Sequence, residues 1–448
     1  MIDSALAGRT LDKEEIEQLQ REFLANPAYR LAQNALTRVP VEDVALDRRI
    51  VNTSDPTTST RLDDWTVTNQ AHSGRCWLFA GLNLLRPDVM RRCKLKDFEF
   101  SQNHAMFWDK LERANYFLES IIETASRDVD DRSVAYLLDS VGGDGGQWNM
   151  FVAIVRKHGL VPKAFMPETK SSENTRPMNQ NLRTVLRRSA GRLRELARRS
   201  PEEARAEKSE VLRTVHRMLS VHLGTPPDRF LWQWTDRDHG FHRDGELTPQ
   251  EFAERYVDLP IDEYVCLVND PRPTSPAGRT YTVEFLGNVV EAPPVVYLNV
   301  GIEVMRDAAL KLLMDGKPVW FGCDSGKMRS DAYGLWDARL LDWPGVYDTD
   351  FELTKAERLM LHESKMTHAM LFTGVDVVDG RPRRWRVENS WGSKRGLEGF
   401  YTMNDSWFAE HLFEIAAPRS LLSPTLQAAL QMEPTALPAW DPMGALAR

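Results

Sequence analysis

Asn69-Gln70-Ala71-His72-Ser73-Gly74-Arg75-Cys76-Trp77-Leu78-Phe79-Ala80 is the stretch on which the reading of this chain turns. A carboxamide, Gln70, stands one short loop ahead of a cysteine. Cys76 then opens an apolar run, Trp77, Leu78, Phe79, Leu82, Leu84 and Leu85, that suits a helix buried on most sides. A thiol at a helix start meets unpaired backbone N–H groups and the positive end of the helix dipole, both of which favour thiolate. Gln70 adds a side-chain N–H donor beside it. Nucleophile and oxyanion donor in one segment point to acyl transfer through a thioester.

A cysteine nucleophile needs a base, and the base needs an orienting group. Met366-Thr367-His368-Ala369-Met370 sets a histidine at the head of an apolar strand. Val387-Glu388-Asn389-Ser390-Trp391-Gly392 sets an asparagine at the end of another. With these strands adjacent, the Asn389 amide oxygen can hold one ring nitrogen of His368 while the other faces Cys76. Trp391 is large enough to cover that bond and keep water off it, and a lower local dielectric strengthens it. Singly, each piece has a plainer reading: a packed cysteine, a core histidine, a turn. Together, Gln70, Cys76, His368 and Asn389 supply four roles in a compatible order.

Bulk properties narrow the setting. The 448 residues are 42% hydrophobic and 27% charged, as in an ordinary globular protein of about three domain-sized units. A net charge of −8 argues against a polyanion binder. No run of about 18 apolar residues offers a membrane span. The opening MIDSALAGRTLDKEE has neither a basic nor an apolar signal region, which argues against secretion. Cys76, Cys93, Cys266 and Cys323 are widely spaced with no CxxC, and if Cys76 works as a thiol the other three cannot all pair within the chain. A reducing, cytoplasmic setting follows, with Cys93, Cys266 and Cys323 as core thiols.

Along the chain, a helical pattern from Leu11 to Leu24 gives way to a turn-rich arm. Ser101 can cap a second helix, and Asp144-Gly145-Gly146-Gln147-Trp148 leads into a third, Met150 to His158, ended by Gly159 and Pro162. From about 170 to 260 the chain is arginine-rich and helical, with Ser200-Pro201-Glu202-Glu203 and Thr248-Pro249-Gln250-Glu251 each reading as a capping box. Strand-like segments then dominate: 264–268, 280–285, 318–323, 369–378, 384–388 and 399–403. Helices first and strands later predict an α+β arrangement of two packed lobes. The tail, Leu437-Pro438-Ala439-Trp440-Asp441-Pro442-Met443, carries two prolines and is expected to be extended.

Three other clusters have competing readings. Gly145-Gly146 offers backbone for pairing with an extended substrate, or is a plain turn before a helix; it is no phosphate loop, since no Gly-Lys-Ser/Thr follows. His239 and His242 near Asp236 and Asp238 resemble a metal site superficially, but no second ligand cluster supports one, and no cofactor is implied. The arginines from Arg183 to Arg213 read as a solvated helix face, with a subunit contact or nucleic-acid patch as alternatives.

The motifs resemble those of the papain-like cysteine peptidases, and in detail their bleomycin hydrolase/aminopeptidase C branch. Gln-x-x-Ser-Gly-Arg-Cys-Trp, Met-Thr-His-Ala-Met and Arg-Val-Glu-Asn-Ser-Trp-Gly carry it. So do Phe-Ser-Gln at 100–102, Phe-Trp-Asp-Lys at 107–110, Asp-Gly-Gly-Gln-Trp at 144–148, Leu-Val-Asn-Asp-Pro-Arg-Pro at 267–273, Trp-Phe-Gly-Cys-Asp at 320–324 and Pro-Ala-Trp-Asp-Pro-Met-Gly-Ala-Leu-Ala at 438–447. The resemblance implies a two-lobe fold, one lobe helical and one β-barrel-like, with a large helical insertion. Mapped onto this chain it gives an N-terminal arm at 1–62, the helical lobe at 63–165, a mainly helical insertion at 166–275, the β-rich lobe at 276–430 and a C-terminal arm in the cleft at 431–448.

It further implies Cys76 as nucleophile, His368 as base and later acid, Asn389 as its orienting group, and Gln70 as oxyanion donor with the Cys76 N–H. A Cys76 thiolate–His368 imidazolium pair would attack the peptide bond. The C-terminal arm would leave room mainly for a free amino end, with the Ala447 carboxylate, after trimming or turning away of Arg448, holding the substrate ammonium. The implied whole is a cytoplasmic, homohexameric aminopeptidase of broad specificity acting on peptides with a free amino terminus. The alternatives are a cysteine endopeptidase or amide hydrolase and, in a different class, a nucleic-acid-binding or scaffolding oligomer.

Overall fold

The structure, a computed structural model, describes residues 10–62 and 65–447. The first residues of the opening stretch and Arg448, with the side chain of Ala447, lie outside the described residues. The chain forms two compact units, one of residues up to Ser54 with Arg339–Glu352, the other of Asp55–Ala338 with Leu353 onward.

In the smaller unit, the expected first helix runs Lys13–Ala25, capped by the Asp12 carboxylate on Glu15 N, and is followed by Pro27–Leu36. Neither helix buries a residue, and Leu11, Leu19, Leu24 and Leu31 are exposed. Within this unit the segment after Leu340 is held by Asp47 N on Leu340 O (2.9 Å), Asp342 N on Ala45 O (2.7 Å) and the Tyr29 hydroxyl on Asp348 Oδ2 (2.8 Å).

The larger unit is built on a mixed sheet of twelve strands among the described residues. Its centre is the antiparallel run Tyr264–Val268, Leu412–Pro418, Val319–Cys323, His368–Val378, Arg381–Glu388 and Phe400–Asn404. Alternation sorts the strand residues by face. Trp320, Ala369, Leu371 and Phe413 join the core shared with the helical lobe, while Phe321, Met370, Phe372 and Leu412 join a second core under the helix Ile302–Met314. The α+β class follows, with the helices Cys76–Cys93, Gln102–Glu123 and Trp148–His158 packed together as the helical lobe. The strand Tyr264–Val268, within the 166–275 span, pairs in the main sheet.

Most local signals acted as their chemistry dictates. Ser101 accepts from His104 N at 2.9 Å, and Gly159 ends its helix at φ 67°. Thr248 forms a complete capping box with Glu251. At Ser200 only the forward bond forms, from Glu203 N at 3.3 Å, so that half-box departs from the expected reciprocal pair. The insertion also contains a hairpin, Phe230–Thr235 with Phe241–Leu247, that the helical pattern did not foretell. Its alternation was legible: Phe230 and Trp232 are buried, Leu231 is exposed.

The arginine stripe of the insertion is a set of bolts. Arg183 donates to Val141 O (3.1 Å), Arg187 to Leu138 O (2.8 Å), Arg194 to Thr124 O (3.1 Å) and Arg198 to Ala125 O (2.6 Å). These carbonyls lie at or just past the C-terminal ends of the helices Gln102–Glu123 and Arg132–Ser140, where backbone acceptors outnumber the amides of the helix itself. The tail is extended only at Thr435–Leu437, parallel to Arg279–Val283; Pro442–Ala447 then coils into a 3-10 helix. Proline at a first helical position fits a tight turn because its missing N–H has no partner to lose there.

Candidate active site

Cys76 is the first residue of the helix Cys76–Cys93, as its position before the apolar run requires. Two strand ends meet it. Ala369 N, next to His368, points at Cys76 Sγ across 3.4 Å. His368 Nε2 is 2.9 Å from Asn389 Oδ1, which leaves Nδ1 as the second ring nitrogen. The strands bearing His368 and Asn389 are direct neighbours, with Leu371 opposite Glu388. Trp391 lies over the imidazole with ring centres 4.9 Å apart and a tilt of 30°.

The Gln70 loop reaches the same place by backbone pairing. Gln70 N donates to Ser390 O at 2.8 Å and Gly392 N to Thr68 O at 3.0 Å, so the two motif loops are zipped together. Gly392 has a φ of 72°, which glycine adopts without a side-chain clash. The Gln70 amide is fixed at both ends, Oε1 accepting from Ser390 Oγ at 2.7 Å and Nε2 donating to Ser73 O. An NH2 group has two hydrogens, so one remains for a ligand.

Sequence reasoning passed over the residues that hold the nucleophile loop. Arg75, 1% exposed, makes a two-pronged bond to Glu168 at 3.0 and 2.7 Å and a third to Ser172 O at 2.8 Å. Asp144 accepts from Gly74 N (3.1 Å) and Asn179 (2.8 Å), pairs with Lys110 (2.6 Å), and offers its carbonyl to Trp77 Nε1 at 2.7 Å. Burial tends to push the Asp144 carboxyl up, but Lys110 and these donors together hold it well below the ordinary range. The available signal was Asp144 standing charged beside two glycines. Gly146 is forced by space, since a Cβ there would lie 2.4 Å from the Trp77 ring. The Gly145 carbonyl is taken by Arg113 at 2.6 Å. His242 and Asp236 bond each other at 2.8 Å, and Asp236 also takes the N–H groups of Asp238 and Gly240 in the hairpin turn.

Burial bears directly on the implied ion pair. Cys76 is 4% exposed, and burial pushes its thiol up to about 11, against the Ala369, Trp77 and Cys76 N–H groups that pull it down. Burial also holds the His368 imidazole down to about 4, opposed by the bond to Asn389. Desolvation thus opposes the helix start, and burial by itself pushes each group toward its neutral form. A neutral imidazole is a proton acceptor, and protonation removes it. Hence kcat/KM should hold from neutral pH downward and fall only near pH 4; an acid limb at about 6.5, the ordinary histidine value, would refute this.

The tail enters the same region. Met443 is 2% exposed, and its carbonyl accepts from Gln147 Nε2 (3.4 Å) and the Tyr297 hydroxyl (3.2 Å). Gln147 directly follows the glycine pair packed on Trp77. Residues 10–444 match the model of the Peptidase C1-like family.

The chain belongs to the Peptidase C1-like family.

It is a papain-like cysteine aminopeptidase by fold and by descent. It is 40% identical to aminopeptidase C of Listeria monocytogenes, over 97% of this chain and 98% of that one. With human bleomycin hydrolase it shares 39% identity over 98% and 99%. The crystal structure of PepW from Lactobacillus rhamnosis superposes with a TM-score of 0.95 at 41% identity, covering 98% of this chain and 99% of that one. No helix among the described residues is long and apolar enough to cross a membrane.

Proposed function

We propose that the enzyme removes residues one at a time from the free amino ends of peptides, with broad preference, through a Cys-His-Asn acyl-enzyme. The observation that carries this reading is the buried C-terminal segment, whose Met443 carbonyl is held from one side by Gln147 and from the other by Tyr297. A segment so held closes the groove to a long chain and leaves its end to meet a short one. Once Arg448 is trimmed by hydrolysis of its peptide bond, the Ala447 carboxylate takes the substrate ammonium.

In the proposed chemistry, Cys76 Sγ attacks the carbonyl carbon as its proton passes to His368 Nδ1. Asn389 on Nε2 keeps that nitrogen aimed and shares the new positive charge. The oxyanion takes the spare Gln70 N–H and the Cys76 backbone N–H. The tetrahedral adduct collapses as His368 protonates the leaving amine, and water then releases the acyl group with the proton returning through His368. Trp391 keeps competing water from the Asn–His bond. Gly145 and Gly146 are the proposed backbone rail for the substrate, with Gly146 N and O its available groups, since Arg113 occupies Gly145 O.

The deciding experiment compares aminoacyl and N-blocked peptide substrates on the wild type and on a chain lacking residues 445–448. The wild type should cleave only the free-amine substrate. The deletion should lower that cleavage about tenfold to a hundredfold, the worth of a hydrogen bond between charged groups, while blocked peptides become substrates. Equal cleavage of both classes by the wild type would sink the aminopeptidase reading.

A cytoplasmic homohexamer completes the proposal. Four free, buried thiols favour a reducing compartment. The exposed Leu19, Leu24 and Leu31 of the first two helices favour burial against another subunit. Sedimentation should find six copies of the 51.3 kDa chain, and a single-chain species at micromolar concentration would remove the assembly.

A further inference from the structure

Two motifs far apart in the sequence, 267–273 and 438–447, meet through one guanidinium. Arg272 bridges two carboxylates. Its Nε and Nη2 reach Asp270 Oδ1 and Oδ2 at 2.9 and 2.7 Å, and its Nη1 and Nη2 reach Asp441 Oδ2 and Oδ1 at 3.0 Å each. Side-chain exposures of 11% for Arg272, 3% for Asp270 and 7% for Asp441 leave little water to compete.

The two acids do different work. Asp270 belongs to the same loop as Arg272 and is itself fixed, its N–H on Asn299 Oδ1 at 2.9 Å and its carbonyl taking Asn299 Nδ2 at 2.8 Å. It sets the plane of the guanidinium in the body of the protein. Asp441 belongs to the arm and organises it. Its carboxylate accepts from Met443 N at 2.9 Å, its N–H donates to Pro438 O at 2.8 Å, and its carbonyl accepts from Gly444 N at 3.1 Å. Two residues onward, Met443 O is held by Gln147 and Tyr297.

A planar fork accepts a carboxylate in one orientation. The chain advances about 2 Å per residue in a 3-10 helix, so sliding the arm by one residue breaks both Arg272–Asp441 bonds together. We propose that the Arg272–Asp441 pair is the latch that fixes the register of the arm, and so sets how many substrate residues fit between the arm's end and Cys76. Arg272 is thereby a positioning residue for specificity, acting through the arm rather than on the substrate. The inference rests on the aminopeptidase reading above.

The test uses Asp441→Asn and Arg272→Met in the full chain beside the 445–448 deletion, with iodoacetamide labelling of Cys76 to count intact sites. Asp441→Asn leaves Arg272 neutralised by Asp270, so it keeps the question open to measurement even if Arg272→Met does not fold. A defined peptide with a free amine is digested and its products are weighed by mass spectrometry. Each latch variant should raise the ratio of dipeptides and internal fragments to single residues by about tenfold or more, the factor carried by a lost bond between charged groups. A wild-type product ladder from Asp441→Asn, beside an altered ladder from the deletion, overturns the latch and spares the arm. An unaltered ladder from the deletion overturns both.

Discussion

Cys76→Ala should lose about 10⁶-fold in kcat on aminoacyl substrates, the scale on which a nucleophile's removal from an acyl-transfer unit registers. Adding His368→Ala to that background should cost almost nothing further. The two groups act on one proton, and with the thiol gone the imidazole has no proton to accept. Gln70→Ala should cost far less, about 10²–10³, because the backbone donor remains. Steady-state kinetics on the purified variants would measure all three. Retention of more than about a hundredth of the activity in Cys76→Ala would dispose of the mechanism, as would full additivity of the double variant.

Glu388→Ala should destabilise the protein by about 3–5 kcal/mol, as breaking a buried ion pair from one side does. Glu388, immediately before Asn389, accepts from Trp65 Nε1 (2.5 Å), Asn83 Nδ2 (2.9 Å) and Arg86 Nη2 (2.5 Å), and both charged side chains are 1% exposed. Burial pushes the Glu388 carboxyl up while Arg86, Trp65 and Arg386 pull it down, so the charge persists only through its partners. Alanine leaves the Arg86 cation without its counter-ion and takes an acceptor from Trp65 and Asn83, with no water to replace it. Glu388→Gln, which keeps an acceptor, should lose less. Urea unfolding would show the effect as a lowered midpoint, and a midpoint within 0.5 kcal/mol of wild type, about the scatter of surface substitutions, would refute it.

Much of the site was legible because each member sits in a local pattern. Cys76 heads an apolar helix, His368 heads an apolar strand, and Asn389 ends another, so periodicity alone placed three side chains at element termini, where they can face a cleft. What periodicity does not carry is the surroundings. The helix start at Cys76 favours thiolate, yet burial by both lobes pushes the thiol the other way. Asp144, Arg75 and Arg272 were out of reach for a related reason. Their partners, Asn179 and Lys110, Glu168, and Asp441, lie in other elements, and an ion pair between distant segments leaves no periodic trace.

The insertion makes the same point from the opposite side. Its arginines read as a solvated face, but several end on carbonyls of neighbouring helix termini. A guanidinium has the same letter whether it meets water or a helix-end carbonyl. The sequence by itself determined which residues could perform the chemistry and which elements bear them, because helix and strand periods and caps are local. Only the tertiary structure decided that burial pushes thiol and imidazole toward their neutral forms, that the loops of Gln70 and Asn389 are zipped together, and that Asp441 of the tail pairs with Arg272. Desolvation, charge pairing and register all depend on what is brought alongside, and that is settled by packing.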